Sequence, residues 1–410
     1  MLCNSSNAPS AGSTLEARSF DANKCLPRTP LGWLQLSHEK SRLLVALSGI
    51  AFADVLMFMQ LGFQSALYNS NTRLNRSLNT DIILVSPKAR NIQNMSTFSR
   101  RRMYQTKDIA GVSSAEAMYV NIIDWKNPQT RKKKSIQLIG ISPKSSAFNL
   151  PSVEQQLHLT ELPDTFLFDR ESKGEYEKVI PQVEQGKVVT TEIEGRTIKI
   201  GGLFSLGPSF AADVNLITSD DNFLRVFPRQ KVSSINLALI QVKPGYDPVE
   251  VAKHLKDYFR KFNDVKVLTH KEFIQFENDY WASQSPIGFI FGLGTAMGFI
   301  VGTILVYQVL STDVNAHIKE YATFKAMGYH NRYLLTIVLE EAFILALLGF
   351  IPGVIIPMGL YQLTRNATNL PIYMTLARAF TVLILTLIMC IISGAIATRK
   401  LQSADPADMF

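Results

Sequence analysis

The chain is short of the residues that would make it an enzyme or a disulfide scaffold. Three cysteines occur in 410 residues, Cys3, Cys25 and Cys390. They lie far apart, fit no metal-ligand spacing and leave the long middle of the chain without a cross-link. His158, His254 and His270 are scattered and form no catalytic pattern. No G-x-x-x-x-G-K-[ST] stretch occurs, which excludes nucleotide binding through a P-loop. H-E-x-x-H, G-x-S-x-G and C-x-x-C are also missing. The glycines of 201–207 lack G-x-G-x-x-G order and read as a turn. The basic run at 131–134 reads as a hairpin tip; without interleaved aromatics it implies no nucleic-acid partner.

Charge is the other scarcity, and it is local. Hydrophobic residues make up 47% and charged residues 19%, with a net charge of +8. Those averages hide four long apolar runs, at 43–63, 286–310, 334–363 and 376–398. About 20 apolar residues at roughly 1.5 Å each cross a hydrocarbon core, so each run is expected to be a transmembrane helix. Asp54 sits inside the first, where a carboxylate costs about 2.5–3.5 kcal/mol on insertion scales. It is therefore read either as functional or as a hydrogen bond between helices. Glu340 and Glu341 lie early in the third run and are read either as lying at the membrane interface, where carboxylates cost little, or as lying deeper against another helix. Pro352 and Pro357 are expected to bend that helix.

Around the spans the chain is ordinary. Residues 1–29 read as a disordered tail and 30–42 as an amphipathic interfacial helix. Residues 64–283 form a soluble domain, and FQSALYNSNTRLNRSL, 63–78, continues the first span outward as a stalk. Strands are expected at 81–85, 117–125, 135–141, 187–192, 197–200, 234–242 and 264–268, and 142–230 reads as loop-rich. Asp247 and Pro248 start a helix whose apolar face is Val249, Ala252, Leu255 and Phe259. Thr269 caps another that leads back to the membrane. Residues 364–375 are a short loop and 399–410 a short tail.

Residues 311–333, between the second and third spans, carry an amphipathic helix. Val314, Ile318, Tyr321 and Phe324 recur at helical spacing, Lys325 lies beside them, and Gly328 is placed to end the helix. Such a stripe either packs on the ends of neighbouring helices or docks into a groove of a partner. Lys24, Arg28, Lys40 and Arg42, then Lys319, Lys325 and Arg332, then Arg399 and Lys400 fall on one side of four alternating spans. The positive-inside rule makes that side cytoplasmic and places 64–283 and 364–375 outside.

Four stretches resemble a known family. They are PLGWLQLSHEKSRLLVAL from Pro30, AFADVLMFMQLGF from Ala51, TDVNAHIKEYATFKAMGY from Thr312 and GFIPG at 349–353. Together they resemble DevC-type permeases, cyanobacterial members of the MacB/FtsX-like family of ABC transporters. The resemblance implies an integral membrane α-helical protein of four transmembrane helices with a large extracytoplasmic α/β domain. Its mixed α/β part maps to 72–140 and 232–270, with a mostly β insert between. It also implies a homodimer in the inner membrane and no cofactor of its own, since ATP is bound by a partner ATPase subunit. A periplasmic membrane-fusion (adaptor) protein and a TolC-like outer-membrane duct complete the implied assembly, which exports a lipid-like or amphiphilic substrate such as a glycolipid. Two other readings stand beside this one. An FtsX-like transducer regulating an extracytoplasmic cell-wall hydrolase shares the four-helix plan, and a membrane-anchored enzyme would need catalytic residues too dispersed to see.

Overall fold

The structure, a computed structural model, describes residues 40–402. The tail at 1–29, nearly all of the interfacial helix at 30–42 and the chain end after 402 lie outside the described residues. The first long helix, α1 (Lys40–Asn71), passes through the apolar run and continues beyond it as a stalk. Its end is fixed to the soluble domain, where the Phe210 N–H donates to Asn71 Oδ1 at 3.1 Å.

The domain is built on β1 (Ile82–Val85), β2 (Phe98–Ser99), β3 (Val112–Lys126) and β4 (Lys133–Ile141). Then come β5 (Thr165–Asp169), β6 (Val189–Ile193), β7 (Arg196–Phe204), β8 (Val214–Ser219) and α2 (Asp220–Val226). It ends with β9 (Ser234–Ile235), β10 (Leu237–Val242), α3 (Pro248–Phe259), β11 (Lys266–Thr269) and α4 (His270–Asp279). Nine of the strands form one sheet in the order β11-β1-β10-β3-β4-β8-β5-β7-β6. Its far end curls back, because Trp125 of β3 also pairs with Ile193 of β6. The result is an open sheet that runs into a closed ring, with β3 and β4 shared between them.

Aromatic packing fills the ring. Trp125, Phe168 and Tyr176 stand with ring centroids 5.0 to 6.1 Å apart. Two readings of the sequence change here. Residues 201–204 are strand within β7, not turn. At Gly202 a Cβ would lie 2.3 Å from Gln156 Oε1 and would displace that side chain, which accepts the Leu203 N–H at 3.0 Å. The turn comes afterwards, at Gly207 with φ +93°. The buried face of α3 is Val251, Ala252, Leu255 and Phe259, while Val249 is exposed. Position 251 is one turn before Leu255, so it shares that face, and 249 does not.

The capping box of Thr269 and Glu272 starts α4. A π-helical turn, Tyr280–Gln284, joins it to α5 (Pro286–Ala316). At this joint Glu277 is fully buried. Its carboxylate accepts the Ile92 N–H and the Trp281 indole N–H, each at 2.8 Å. Removal from water pushes its pKa up to about 7 despite both bonds.

After α5 come α6 (Ile318–Ala326), α7 (Asn331–Thr368) and α8 (Leu376–Gln402). Among the described residues α1, α5, α7 and α8 are the four helices long and apolar enough to cross a membrane. The α7 helix continues through both Pro352 and Pro357 and stops at Asn369, which takes the left-handed conformation with φ +55°.

Candidate coupling site

Helix α1 lies against α7 at a distance only glycine permits. A Cβ on Gly349 would sit 2.6 Å from Ile50, and one on Gly353 would sit 2.7 Å from Asp54. Both pairs are four residues apart, so one face of each helix meets the other along a full turn. The GFIPG stretch is therefore a contact surface. One and two turns further along, the Tyr361 hydroxyl donates to the Phe58 carbonyl and fills the space over Gly62.

Asp54 is fully buried at this crossing. Its Oδ1 is 2.6 Å from the Thr386 hydroxyl of α8, so three helices meet at one carboxyl group. Glycine at 353 makes room for the side chain, and Thr386 satisfies one of its oxygens.

For the second buried polar group, Glu341, an interfacial place and one against another helix were both open, and the structure packs it against another helix. Glu341 is 1% exposed, and its carboxyl meets that of Asp313 from the end of α5. Asp313 in turn lies 3.6 Å from the His317 ring. Glu340, on the next position of α7, is half-buried. Sequence reading passed over Asp313; its only signal was the i, i+4 relation to His317.

The helix between the spans packs inward. Val314 and Tyr321 are fully buried in a cluster with Leu334 and Val338 of α7, and Ile318 and Phe324 pack half-buried at its edge. Of the two readings of the stripe, packing on a neighbouring helix is the one the structure gives for Val314 and Tyr321, which are not available for docking. A stripe of that spacing marks a buried face but does not say what buries it, and here α7 does. Lys325 is half-buried and Gly328, with φ +91°, ends the helix. Gly328 closes a Schellman turn in which the Tyr329 N–H bonds the Phe324 carbonyl at 3.1 Å. Phe324, Tyr329 and Tyr333 then group with centroids 4.8 to 6.4 Å apart. What remains on the outer face is Lys319, Glu320, Thr323, Met327 and Tyr329, all exposed.

A stalk, a bundle crossed at glycines and a short helix clamped to α7 define a four-helix membrane protein that carries a large α/β domain beside its spans. Residues 288–406 match the family described as FtsX-like permease C-terminal. The chain is 21% identical over 384 residues to the macrolide export ATP-binding/permease protein MacB of Wolinella succinogenes. That match covers 89% of this chain, which spans little more than half, 57%, of that relative's length. The chain is thus similar to the MacB/FtsX-like permeases, most directly over 288–406. Solved structures similar to it include the periplasmic region of MacB from Actinobacillus actinomycetemcomitans, at 13% identity and a TM-score of 0.33. That likeness covers 48% of this chain and 92% of the other. The extracellular domain of the noncanonic ABC-type transporter YknZ from Gram-positive bacteria is similar at 14% identity and a TM-score of 0.32, covering 46% of this chain and 100% of the other.

Proposed function

We propose that the chain is the permease subunit of an ABC export system in which a partner ATPase drives the external domain through the membrane helices. The observation that carries this is the shortness of the joints: only Ser285 separates the π-helical turn after α4 from α5, only His317 separates α5 from α6, and four residues, 327–330, separate α6 from α7. The cluster around Tyr321 fixes α6 to α7, so a push on α6 moves both spans. ATP is held by the partner, which contacts the outer face of α6 through Met327 and Tyr329 with Lys319 and Thr323 beside them. Val314, Ile318, Tyr321, Phe324, Lys325 and Gly328 seat the helix and transmit its motion.

The assembly is a homodimer in the inner membrane, with both termini and 311–333 cytoplasmic and 64–283 periplasmic. An adaptor protein and a TolC-like duct carry an amphiphilic, lipid-like substrate onward. The basic residues at the ends of the spans support the orientation, and the DevC-like stretches support the partners.

Co-purification with the ATPase and substrate-stimulated hydrolysis in proteoliposomes separate the two faces of α6. Anchors in such grooves contribute about 2 kcal/mol or more. Met327→Glu with Tyr329→Ala is expected to weaken ATPase recruitment about thirtyfold. Tyr321→Ala is expected to retain recruitment and lose stimulation. Unchanged recruitment and coupling in both variants would reduce α6 to a linker. In cells stripped of the outer membrane, Ser145→Cys reacts with an impermeant thiol reagent and Ser311→Cys does not; the reverse pattern inverts the topology.

A further inference from the structure

Strand β3 changes partners midway. Its pairing with β10 ends at Met118, and β6 meets it at Trp125. Between these points residues 119–124 have β4 on one side and no strand on the other. Side chains close the gap provisionally. The Val120 N–H donates to Asn236 Oδ1 at 3.3 Å, and the Ile122 N–H donates to Oδ1 of its own neighbour, Asn121, at 2.9 Å. Neither N–H therefore belongs to the β4 ladder; both point toward the open side. A side chain of the preceding residue is a placeholder that one rotamer change removes. An unpaired strand edge is a template for another strand.

This edge does not lie on a bare surface. It forms one wall of a groove of about 1080 Å³, and the segment from the end of α2 to β9 forms the other. At about 3.3 Å per residue the gap runs roughly 20 Å, the length of a strand of about six residues. Arg225, Arg229 and Lys231 stand exposed on the opposite wall and make no ion pair among the described residues. Arg196 at the rim is already held by Asp164 at 2.6 Å. Asp124 and Glu194 lie toward the β6 end, so the positive excess runs along the α2–β9 wall.

We propose that the open edge of β3 receives an extended polypeptide segment bearing acidic side chains, by strand addition. The main chain of the guest pairs with the backbone at Val120 and Ile122, displacing the Asn121 side chain. Its acidic residues face Arg225, Arg229 and Lys231. Backbone pairing supplies affinity in this mode and the flanking side chains supply choice. The inference is independent of the coupling role of α6.

The test uses the full chain in lipid nanodiscs and a fluorescein-labelled peptide of sequence Val-Glu-Val-Glu-Val-Glu, followed by anisotropy. Saturable binding is expected, and a peptide with Lys in place of Glu is not expected to bind. N-methylation of alternate peptide amides, made in both registers, is expected to weaken binding about tenfold in one register through loss of the ladder. Combined Arg225→Glu, Arg229→Glu and Lys231→Glu, all on the exposed wall, is expected to weaken it about tenfold and steepen no salt dependence. Ile122→Pro removes the central N–H without touching the β4 ladder and should abolish binding. Amide-exchange protection of β4 and β8 in each variant reports that the ring is intact. Absence of saturable binding to the unaltered chain overturns the proposal. So does equal binding of both N-methylated peptides, or undiminished binding to the charge-reversed variant. Pairing of two copies of this chain through the edge, seen as a dimer that the peptide does not disperse, overturns it as well.

Discussion

The external domain and the membrane bundle are both well packed, but by opposite means. In the domain the deepest side chains are large: Trp125, Tyr119, Phe166, Phe168, Phe204 and Phe223 are all essentially inaccessible. In the bundle the tightest places are small: Gly62, Gly302, Gly349 and Gly353, each with a neighbour where its Cβ would stand. Many of its large apolar residues, such as Phe289, Ile290 and Leu293, face outward, while others, such as Ile50, Phe58 and Leu345, fill the space between the helices. Water explains the contrast. Burying an aromatic ring from water stabilises the domain by an amount that grows with its area. A leucine facing lipid gains nothing by turning to face another helix, so helices associate through close backbone approach and a few polar bonds. Volume holds one region together, and its absence holds the other.

The contrast is broken most severely by exchanging volume between the regions. Phe168→Ala empties the centre of the ring, where Phe168 contacts Trp125 and Tyr176. A loss of about 3–5 kcal/mol is expected, read as a fall in the thermal or urea midpoint of the domain in micelles. Gly353→Val adds volume where the bundle has none, against Asp54. About 1–3 kcal/mol is expected for such overpacking, read as lost compactness of the bundle with an unchanged domain transition. If the alanine were tolerated in the ring and the valine in the bundle, the two regions would not differ as described.

The joint between the regions shares features of both, and pH addresses it. Glu277 is buried like a core residue but satisfied like a membrane one, by two N–H groups. Its pKa is raised from 4.5 to about 7. A carboxyl with a raised folded-state pKa leaves stability intact below pH 4.5 and removes it as pH rises toward 7. At 1.36 kcal/mol per unit, the full swing is about 3 kcal/mol at most. The domain is therefore expected to melt lower at pH 7.5 than at pH 5. Glu277→Gln should flatten that dependence, although it lowers the melting point at pH 5 because the amide opposes one donor with another. An unaltered pH slope in the Gln variant would assign the dependence to other groups.

The parts of the fold that were legible are those in which one physical rule acts alone. Long apolar runs with few charges mark the spans because lipid penalises charge wherever it occurs. The stalk that carries α1 on to Asn71 was legible too, but the end of α7 was not, since it runs on to Thr368 through polar residues. A helix does not stop where the hydrocarbon does. Strands β5 and β8, TFLFD and VNLITS, escaped notice because both faces are buried; without alternation they look like any short apolar run. The stripe on α6 was legible as a period but not as a direction. The partners of Asp54 and Glu341 could not be read at all, because Thr386 is 332 positions from Asp54 and nothing local links them.

Asp54 gives the smallest expected effect and the finest test of how the bundle is held. If the bundle depends on close approach and polar satisfaction, it needs a side chain at 54 that fits beside Gly353 and bonds Thr386. The need for a charge is a separate matter. Asn has nearly the shape of Asp and keeps a bond to the Thr386 hydroxyl, as donor or acceptor. Asp54→Asn is therefore expected to change bundle stability by less than about 1 kcal/mol. Asp54→Leu loses the bond and places a branched carbon over the glycine, so it should cost clearly more. Melting of the four-helix region, followed by labelling of the buried Cys390, reads both variants on one scale. The coupled function reads something further. A stable Asn variant with normal ATPase recruitment but no substrate-stimulated hydrolysis would show that the carboxyl biases two packings of α1 against α7 and α8. A stable and fully active one would leave Asp54 as a packing group, held where three helices cross.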